Sequence, residues 1–175
     1  MIKINRCSPP DYLTSNKVLE LTDKFKSEHK NVWANKCIKN TLMSMSYNKC
    51  AYCEVKLGER GCYLEVEHFK DKHTYPDDVV NWDNLLPSCK HCNTSKSTHD
   101  VVNEPIINPC DIDPREHLYF QNYRLKGKTD LGDLSIEILD LNNRKHLVFP
   151  RCEVGDKLSE RIEELNRSYS ISNDR

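Results

Sequence analysis

Apolar residues recur at helical spacing in the first part of the chain. Between residues 11 and 30, Val18, Leu21 and Phe25 lie three or four positions apart, with polar residues around them. A second apolar set follows and comprises Trp33, Ile38, Leu42 and Met45. Such spacing is typical of one face of an amphipathic helix. The pattern therefore predicts a helical N-terminal cover over residues 1–47.

The pattern changes to short segments after this cover. Residues 62–69 alternate enough to predict a strand, and residues 54–57 favour another short strand. A polar loop comes next, and a helix is expected to open near Cys89 and to run to about Thr98. Short strands followed by a short helix indicate an α+β core over residues 48–100.

Helical spacing returns towards the end of the chain. Apolar residues three and four positions apart predict helices over residues 134–148 and 154–165, whereas residues 118–125 favour a strand. The last residues, from Ser168 onwards, are expected to be frayed. We therefore expect a mostly helical C-terminal region over residues 101–175, which packs on the core or docks a partner.

Composition and charge narrow the possible settings. The chain has 175 residues, of which 30% are charged. It contains no apolar run of about 18 residues, so a membrane span is not expected. The N-terminal segment lacks the apolar core of a signal peptide, which predicts a cytoplasmic location.

The formal net charge of the chain is −1. A protein that grips nucleic acid by its phosphates alone is usually basic. Any nucleic-acid contact therefore requires a partner subunit or a local basic patch. Four lysines offer such a patch: Lys70, Lys72, Lys90 and Lys96.

The chain contains nine cysteines, which is many for a protein of a reducing compartment. In such a compartment, grouped cysteines indicate metal ligands rather than disulfides. Two pairs have the C-x-x-C spacing that presents two thiolates to one tetrahedral ion, which predicts a closed, structural zinc site. The ligands of this site are expected to be Cys50, Cys53, Cys89 and Cys92. The remaining cysteines are expected to be small buried hydrophobes: Cys7, Cys37, Cys62, Cys110 and Cys152.

Polar groups with catalytic chemistry share this zinc-fixed frame. Glu67 and His68 lie on the predicted strand, Asn84 follows the loop, and Asn93 follows the last zinc cysteine. An imidazole can take a proton from water near neutral pH. Carboxylate and carboxamide oxygens suit a hard divalent ion. Together these types can take up a proton and hold a divalent ion, although His68 alone also fits a structural histidine and Asn93 a helix cap.

The order C-x-x-C, acidic-His, Asn-Leu, C-x-x-C-Asn resembles the HNH endonuclease family in its four-cysteine zinc form. This resemblance implies a ββα-metal nuclease core with His68 as the general base and with Asn84 bracing the loop that orients it. It further implies that Glu67 and Asn93 bind one catalytic Mg²⁺ or Mn²⁺ ion. Glu67 stands where Asp is common in the family, and Asn93 stands where many members carry His. Lys70 and Lys96 are weaker expectations for contacts with the substrate phosphate.

Further segments resemble the HNH subunit of Septu-type anti-phage systems, some of which are joined to retrons. The matching segments lie at residues 50–54, 66–69, 82–89, 108–109 and 139–142. The resemblance covers about residues 30–165, and its downstream part is the less specific. It implies an effector nuclease that works with an ATPase of the ABC/SMC type and cuts nucleic acid, with DNA favoured and RNA such as tRNA possible.

Two other functions remain open on the same scaffold. A treble-clef zinc module would bind nucleic acid or protein without cutting, and a toxin-like ribonuclease would cut RNA. The zinc cysteines do not separate these alternatives. The combination of Glu67, His68 and Asn93 favours a nuclease, because a pure binding module does not need it.

Overall fold

In a computed structural model of the protein, residues 1–59 and 61–173 are described. Two N-terminal helices, α1 (Ser15–Glu28) and α2 (Lys36–Met45), confirm the helical pattern at the start of the chain. Thr14 and Asn35 each accept a hydrogen bond from a backbone N–H in the first turn of their helix. Such side-chain caps favour helix initiation at these positions.

An antiparallel hairpin with a helix after it forms the centre of the fold. Strand β1 (Leu64–His68) pairs with β2 (Leu85–Cys89), with Leu64 opposite Cys89 and His68 opposite Leu85. Helix α3 (Lys90–Lys96) follows β2 directly. The strand expected at residues 54–57 is wrong, because only a single bridge between Lys49 and Lys56 forms there.

The segment between β1 and β2 carries two short 3₁₀ turns, Pro76–Asp78 and Trp82–Asn84. This segment runs along α1 and returns to the hairpin at Leu85. It therefore forms a loop that leaves and re-enters the core beside His68.

A second hairpin replaces the single strand expected at residues 118–125. After the short helix α4 (Pro114–His117), strand β3 (Leu118–Gln121) pairs with β4 (Arg124–Gly127). Asn122 and Tyr123 have φ values of 49° and 61°. Positive φ at both central residues reverses the chain in a two-residue turn.

The expected helix over residues 134–148 is wrong as one continuous element. Helix α5 (Asp130–Ile138) ends before Asp140, whose φ is 46°, and a π-helical turn follows at Arg144–Val148. The last helix, α6 (Phe149–Asn173), is longer than expected. Residues 168–173 are thus helical rather than frayed, and residues 174–175 lie outside the described residues.

One hydrophobic core unites these elements. Among its completely buried side chains, Leu42 comes from α2, Leu85 and Leu86 from β2, and Leu139 and Leu141 from the segment after α5. Helices packed around small antiparallel sheets confirm the α+β class. None of the described helices combines the length and apolar character needed to cross a membrane.

Candidate metal centre and histidine site

The four cysteines of the two C-x-x-C pairs meet in the core. Their sulfur atoms all lie within 4.8 Å of one another, and Cys53 Sγ is 3.6 Å from Cys89 Sγ. The first pair lies on a tight turn in which the Glu54 N–H donates to the Cys50 carbonyl. The second pair opens α3, where Cys89 is the N-cap and accepts from the Cys92 N–H.

This donor set fits a structural zinc ion. All four cysteines are buried, so their thiolates would be shielded from water, and four sulfur ligands leave no open position. Soft thiolate donors select zinc over Mg²⁺ or Ca²⁺. The cluster joins two segments that are distant in the sequence, since Cys53 and Cys89 are 36 positions apart.

The other cysteines are outside this cluster. Cys62, Cys110 and Cys152 are half-buried, whereas Cys7 and Cys37 are exposed. The expectation of burial is therefore wrong for Cys7 and Cys37, which lie in the N-terminal segment and on the outer face of α2.

His68 lies at the end of β1 with a fixed ring. Its Nε2 is 2.9 Å from the carbonyl oxygen of Val79. Because a carbonyl only accepts, Nε2 carries the proton and Nδ1 keeps its lone pair in the neutral ring. The indole of Trp33 lies perpendicular to the imidazole, with 4.6 Å between ring centroids. Burial lowers the pKa of His68 to about 4, so the ring is neutral at pH 7.

Glu67 forms a buried ion pair. Its Oε1 is 2.8 Å from Nζ of Lys96, and both side chains are almost completely enclosed. Lys96 Nζ also donates to the backbone carbonyl of His68 at 3.0 Å. Burial raises the pKa of Glu67 to about 7, although the Lys96 ammonium opposes this shift.

The burial of Lys96 corrects the expectation that it contacts a substrate phosphate. Only 2% of Lys96 is exposed. Its ammonium ties α3 to β1 and does not face solvent. Turning it outwards to a phosphate would leave the Glu67 carboxylate buried without a partner, which is costly.

Asn84 bridges the two ends of the loop between β1 and β2. Its Oδ1 accepts from the Lys70 N–H at 2.7 Å, and its Nδ2 donates to the carbonyls of Lys70 and Asp78, both at 3.1 Å. The Lys70 ammonium itself pairs with Asp78 at 3.0 Å. Asn84 thus holds the loop that carries Val79, the partner of the His68 ring.

Asn93 lies half-buried in the first turn of α3. It does not cap the helix, because Cys89 does. Asn93 and Lys96 are three positions apart on α3 and therefore share one helix face. Since Lys96 contacts Glu67 and the His68 carbonyl, this face is turned towards the end of β1.

Three polar groups at this site have no hydrogen-bond partner among the described residues. No described residue pairs with Nδ1 of His68, with Oε2 of Glu67 or with the carboxamide of Asn93. In the described part of the chain, Thr22 Oγ1 is the only enclosed side-chain polar atom that lacks a partner. These groups are therefore without a partner among the described residues, although His68 and Glu67 are only 5% and 3% exposed.

Contacts from distant segments complete the site, and the sequence carried little sign of them. Val79 acts through its backbone, so its residue type gives no signal. Trp33 was assigned to the apolar face of the N-terminal cover, yet it lies against His68. The spacing of Trp33 predicts a residue of the hydrophobic core, and nothing in the nearby sequence indicates a contact with His68.

The α+β fold, with a hairpin that leads into a short helix and a buried four-cysteine cluster, fits the four-cysteine zinc form of the HNH fold. The chain is a homologue of Septu protein PtuB: it is 47% identical over 165 residues to that protein from Bacillus thuringiensis, across 94% of this chain and 64% of the relative. A second Septu protein PtuB, from Bacillus mycoides (strain KBAB4), is 31% identical over 156 residues, across 70% of this chain and 52% of the relative. The chain thus spans less than two thirds of either relative. No protein-family model matches it.

Proposed function

We propose that this protein is a metal-dependent HNH endonuclease that hydrolyses phosphodiester bonds with His68 as the general base. The observation that carries the proposal is the state of the imidazole. Val79 fixes the tautomer, burial keeps the ring neutral, and no described residue pairs with Nδ1. A neutral imidazole with a free lone pair can take a proton from an attacking water.

Glu67, the residue before this base, and Asn93 on α3 offer oxygen donors for a divalent ion. Glu67 Oε2 and the Asn93 carboxamide oxygen would hold one Mg²⁺ or Mn²⁺ ion, which when bound stabilises negative charge on a phosphate. The carboxylate and carboxamide suit a hard cation. The Lys96 ammonium keeps Glu67 in place through Oε1 and leaves Oε2 available.

The other residues of the site support these groups. We assign a structural zinc ion to the four cysteines, where it joins the turn before β1 to the start of α3. Asn84 holds the loop that positions Val79, and Lys70 lies at the edge of this loop, paired with Asp78. A reducing compartment such as the cytoplasm would keep the thiols available for zinc.

The Septu relatives support a role in anti-phage defence. On this basis we propose that the protein is the effector nuclease of a complex with an ABC/SMC-type ATPase and that it cuts DNA or RNA. Exposed apolar residues along α6 support docking of a partner by the C-terminal region: Val154, Leu158, Ile162 and Leu165. We further propose that residues 1–47 form a cover, that residues 48–100 form the nuclease core and that residues 101–175 form a docking region for a partner.

The decisive test is a cleavage assay on plasmid DNA and on a tRNA pool, with Mg²⁺ or Mn²⁺, with and without the partner ATPase. His68→Gln keeps a side-chain donor for Val79 but removes the base, so we expect cleavage to fall by about 10²–10⁴-fold. His73→Gln, at an exposed position of the same loop, is the matched control and should cut normally.

Folding and zinc content of both variants are measured by circular dichroism and atomic absorption. Equal cleavage by His68→Gln and the wild type would exclude His68 as the base. If the wild type cuts neither substrate in any arm yet binds nucleic acid or a partner, the protein is a non-catalytic zinc module.

A further inference from the structure

Trp33 joins the N-terminal cover to the histidine site. It lies between α1 and α2, and its ring touches both the core and the site: the Phe25 centroid is at 5.8 Å and the His68 centroid at 4.6 Å. The indole is half-buried, so one part of it packs and another part faces solvent. The His68 ring is thus held by the Val79 hydrogen bond and contacts the Trp33 ring.

Lys72 lies on the same indole, with Nζ 5.6 Å from the Trp33 ring centroid. It differs from the neighbouring lysines in having no carboxylate partner within 4.0 Å among the described residues. Lys70 is paired with Asp78, and Lys96 is buried. A phosphate can therefore bind Lys72 without first breaking an ion pair.

The acidic residue next to Lys72 does not neutralise it by a direct pair. Oδ2 of Asp71 accepts hydrogen bonds from the N–H groups of His73 and Thr74, which fixes the Asp71 carboxylate on the loop backbone. The charge of Lys72 still acts on both His68 and Glu67. Lys72 is thus a free cation within electrostatic reach of the proposed base.

We infer that Lys72 binds the substrate phosphate at His68 and that Trp33 is a positioning residue that holds the Lys72 ammonium and the His68 imidazole together. The inference rests on the proposed nuclease function and assigns the phosphate contact that Lys96 does not provide. A cation held over an indole face keeps its hydrogen-bond donors free on the outer side. The N-terminal cover is in this way part of the nucleic-acid site.

A binding assay under conditions that prevent cleavage tests the phosphate contact of Lys72. The probes are a fluorescein-labelled 20-nucleotide single-stranded DNA, the RNA of the same sequence and the DNA duplex, in Ca²⁺ instead of Mg²⁺. We expect Lys72→Ala to bind about tenfold more weakly and to lower the salt dependence by about one phosphate contact. Lys72→Arg should bind like the wild type. Lys126→Ala is the matched control, since it removes one exposed positive charge from β4.

The NMR signals of the His68 imidazole test the positioning role of Trp33. Histidine ring signals are recorded by NMR, with His68 assigned from its absence in His68→Gln. Trp33→Ala should remove the ring-current shift of His68 and weaken probe binding as much as Lys72→Ala, and the double variant should bind no more weakly than either single one. Trp33→Phe keeps an aromatic ring and should preserve most of both properties. Zinc content and circular dichroism check the fold of each variant.

The outcomes separate this inference from the proposed function. Cleavage that depends on His68 but not on Lys72 or Trp33 overturns the inference and leaves the nuclease intact. Probe binding that depends on Lys72 and Trp33 without any cleavage supports a nucleic-acid site and argues against the nuclease. Equal loss in Lys72→Ala and Lys126→Ala, or no wild-type binding to any probe, overturns the inference.

Discussion

At the scale of single residues, the ion pair between Lys96 and Glu67 shows how burial changes the role of a charged side chain. Nζ of Lys96 and Oε1 of Glu67 are 2.8 Å apart, and each side chain is almost fully removed from water. A buried pair of this kind adds little net stability over an apolar pair, but removal of one partner is costly. Lys96 is therefore an obligatory partner of Glu67.

We predict that Lys96→Met or Glu67→Gln alone lowers the free energy of unfolding by about 3–5 kcal/mol, because each leaves an unpaired buried group. The double variant should recover part of this loss. Urea unfolding at constant zinc concentration measures all three. Lys70→Met is the control: its pair with Asp78 is half exposed, so a change below about 1 kcal/mol is expected. Strictly additive effects of the two core substitutions would contradict a direct pair.

Cys110 gives a pH-dependent prediction. Burial raises its pKa to about 11, from an ordinary value of 9.0. Because the thiolate is the reactive form, Cys110 should be alkylated by iodoacetamide far more slowly than the exposed Cys7 at pH 8.5 in the folded protein. Peptide mass spectrometry after timed labelling measures both rates.

The raised pKa of Cys110 also determines how its contribution to the free energy of unfolding changes with pH. The folded-state pKa of Cys110 lies above the unfolded value, so the protonated thiol stabilises the fold fully below pH 9 and this contribution is lost between about pH 9 and 11. Cys110→Ala should remove that part of the pH dependence. Labelling of native Cys110 as fast as Cys7 would show that its thiol is not held in the protonated form.

Sequence reasoning located residues whose chemistry depends on local spacing. The two C-x-x-C pairs met as expected, because a short gap fixes both thiols of a pair and tetrahedral geometry fixes the rest. The partners of His68 and Glu67 were missed, because Trp33, Val79 and Lys96 reach them through the tertiary fold. The roles of His68, Glu67, Asn84 and Asn93 in catalysis stay predictions.

At the scale of elements, the hairpin and α3 meet at the four-cysteine cluster. The cysteine turn precedes β1, and the second pair begins α3, so one ion would stabilise the packing of both. Ligand loss should therefore affect the hairpin as a unit rather than a single side chain.

We predict one zinc ion per chain and its loss in Cys50→Ser or Cys92→Ser. Cys62→Ser is the matched control: Cys62 is half-buried and outside the cluster, so zinc content should not change. Zinc is measured by native mass spectrometry, and chelation should release four additional thiols to a thiol reagent. Full zinc retention by Cys50→Ser would rule out the four-thiolate site.

Element prediction succeeded where periodicity is local and failed where single residues redirect the chain. α1, α2 and β1 follow their apolar spacing closely. The helix expected at residues 134–148 ends early, because Asp140 adopts a left-handed conformation and Asn143 caps a new turn. Apolar spacing continues through that break and therefore hides it.

At the scale of the whole molecule, the last helix behaves as an extension. Every residue from 156 to 169 is exposed, although α6 begins against the π-helical turn. The apolar side chains on this part of α6 contribute little to the core, because they are not removed from water.

Truncation after residue 156 should therefore change the free energy of unfolding by less than about 1 kcal/mol, since little apolar surface is lost from the core. Thermal and urea unfolding of the zinc-loaded protein measure the change. Removal of the residues from Leu147 onwards is the contrasting variant, because Leu147 and Val148 are buried and their loss should destabilise the fold strongly. A large loss on truncation after residue 156 would mean that this part of α6 packs in solution.

The paired cysteines also affect how the chain tolerates changes in length. Cys53 and Cys89 lie side by side although they are 36 positions apart, so an ion bound to both would close the intervening chain into a ring. The entropy of closing such a ring grows only with the logarithm of its length, by about 0.6 kcal/mol for each doubling. Loop closure by itself therefore tolerates an added residue, provided that the insertion spares the hydrogen bonds of Asp71 with His73 and Thr74 and the contact of Pro76–Asp78 with α1. The length of the segment between the two cysteine pairs can therefore vary, while an ion shared by the four cysteines would keep its two ends together.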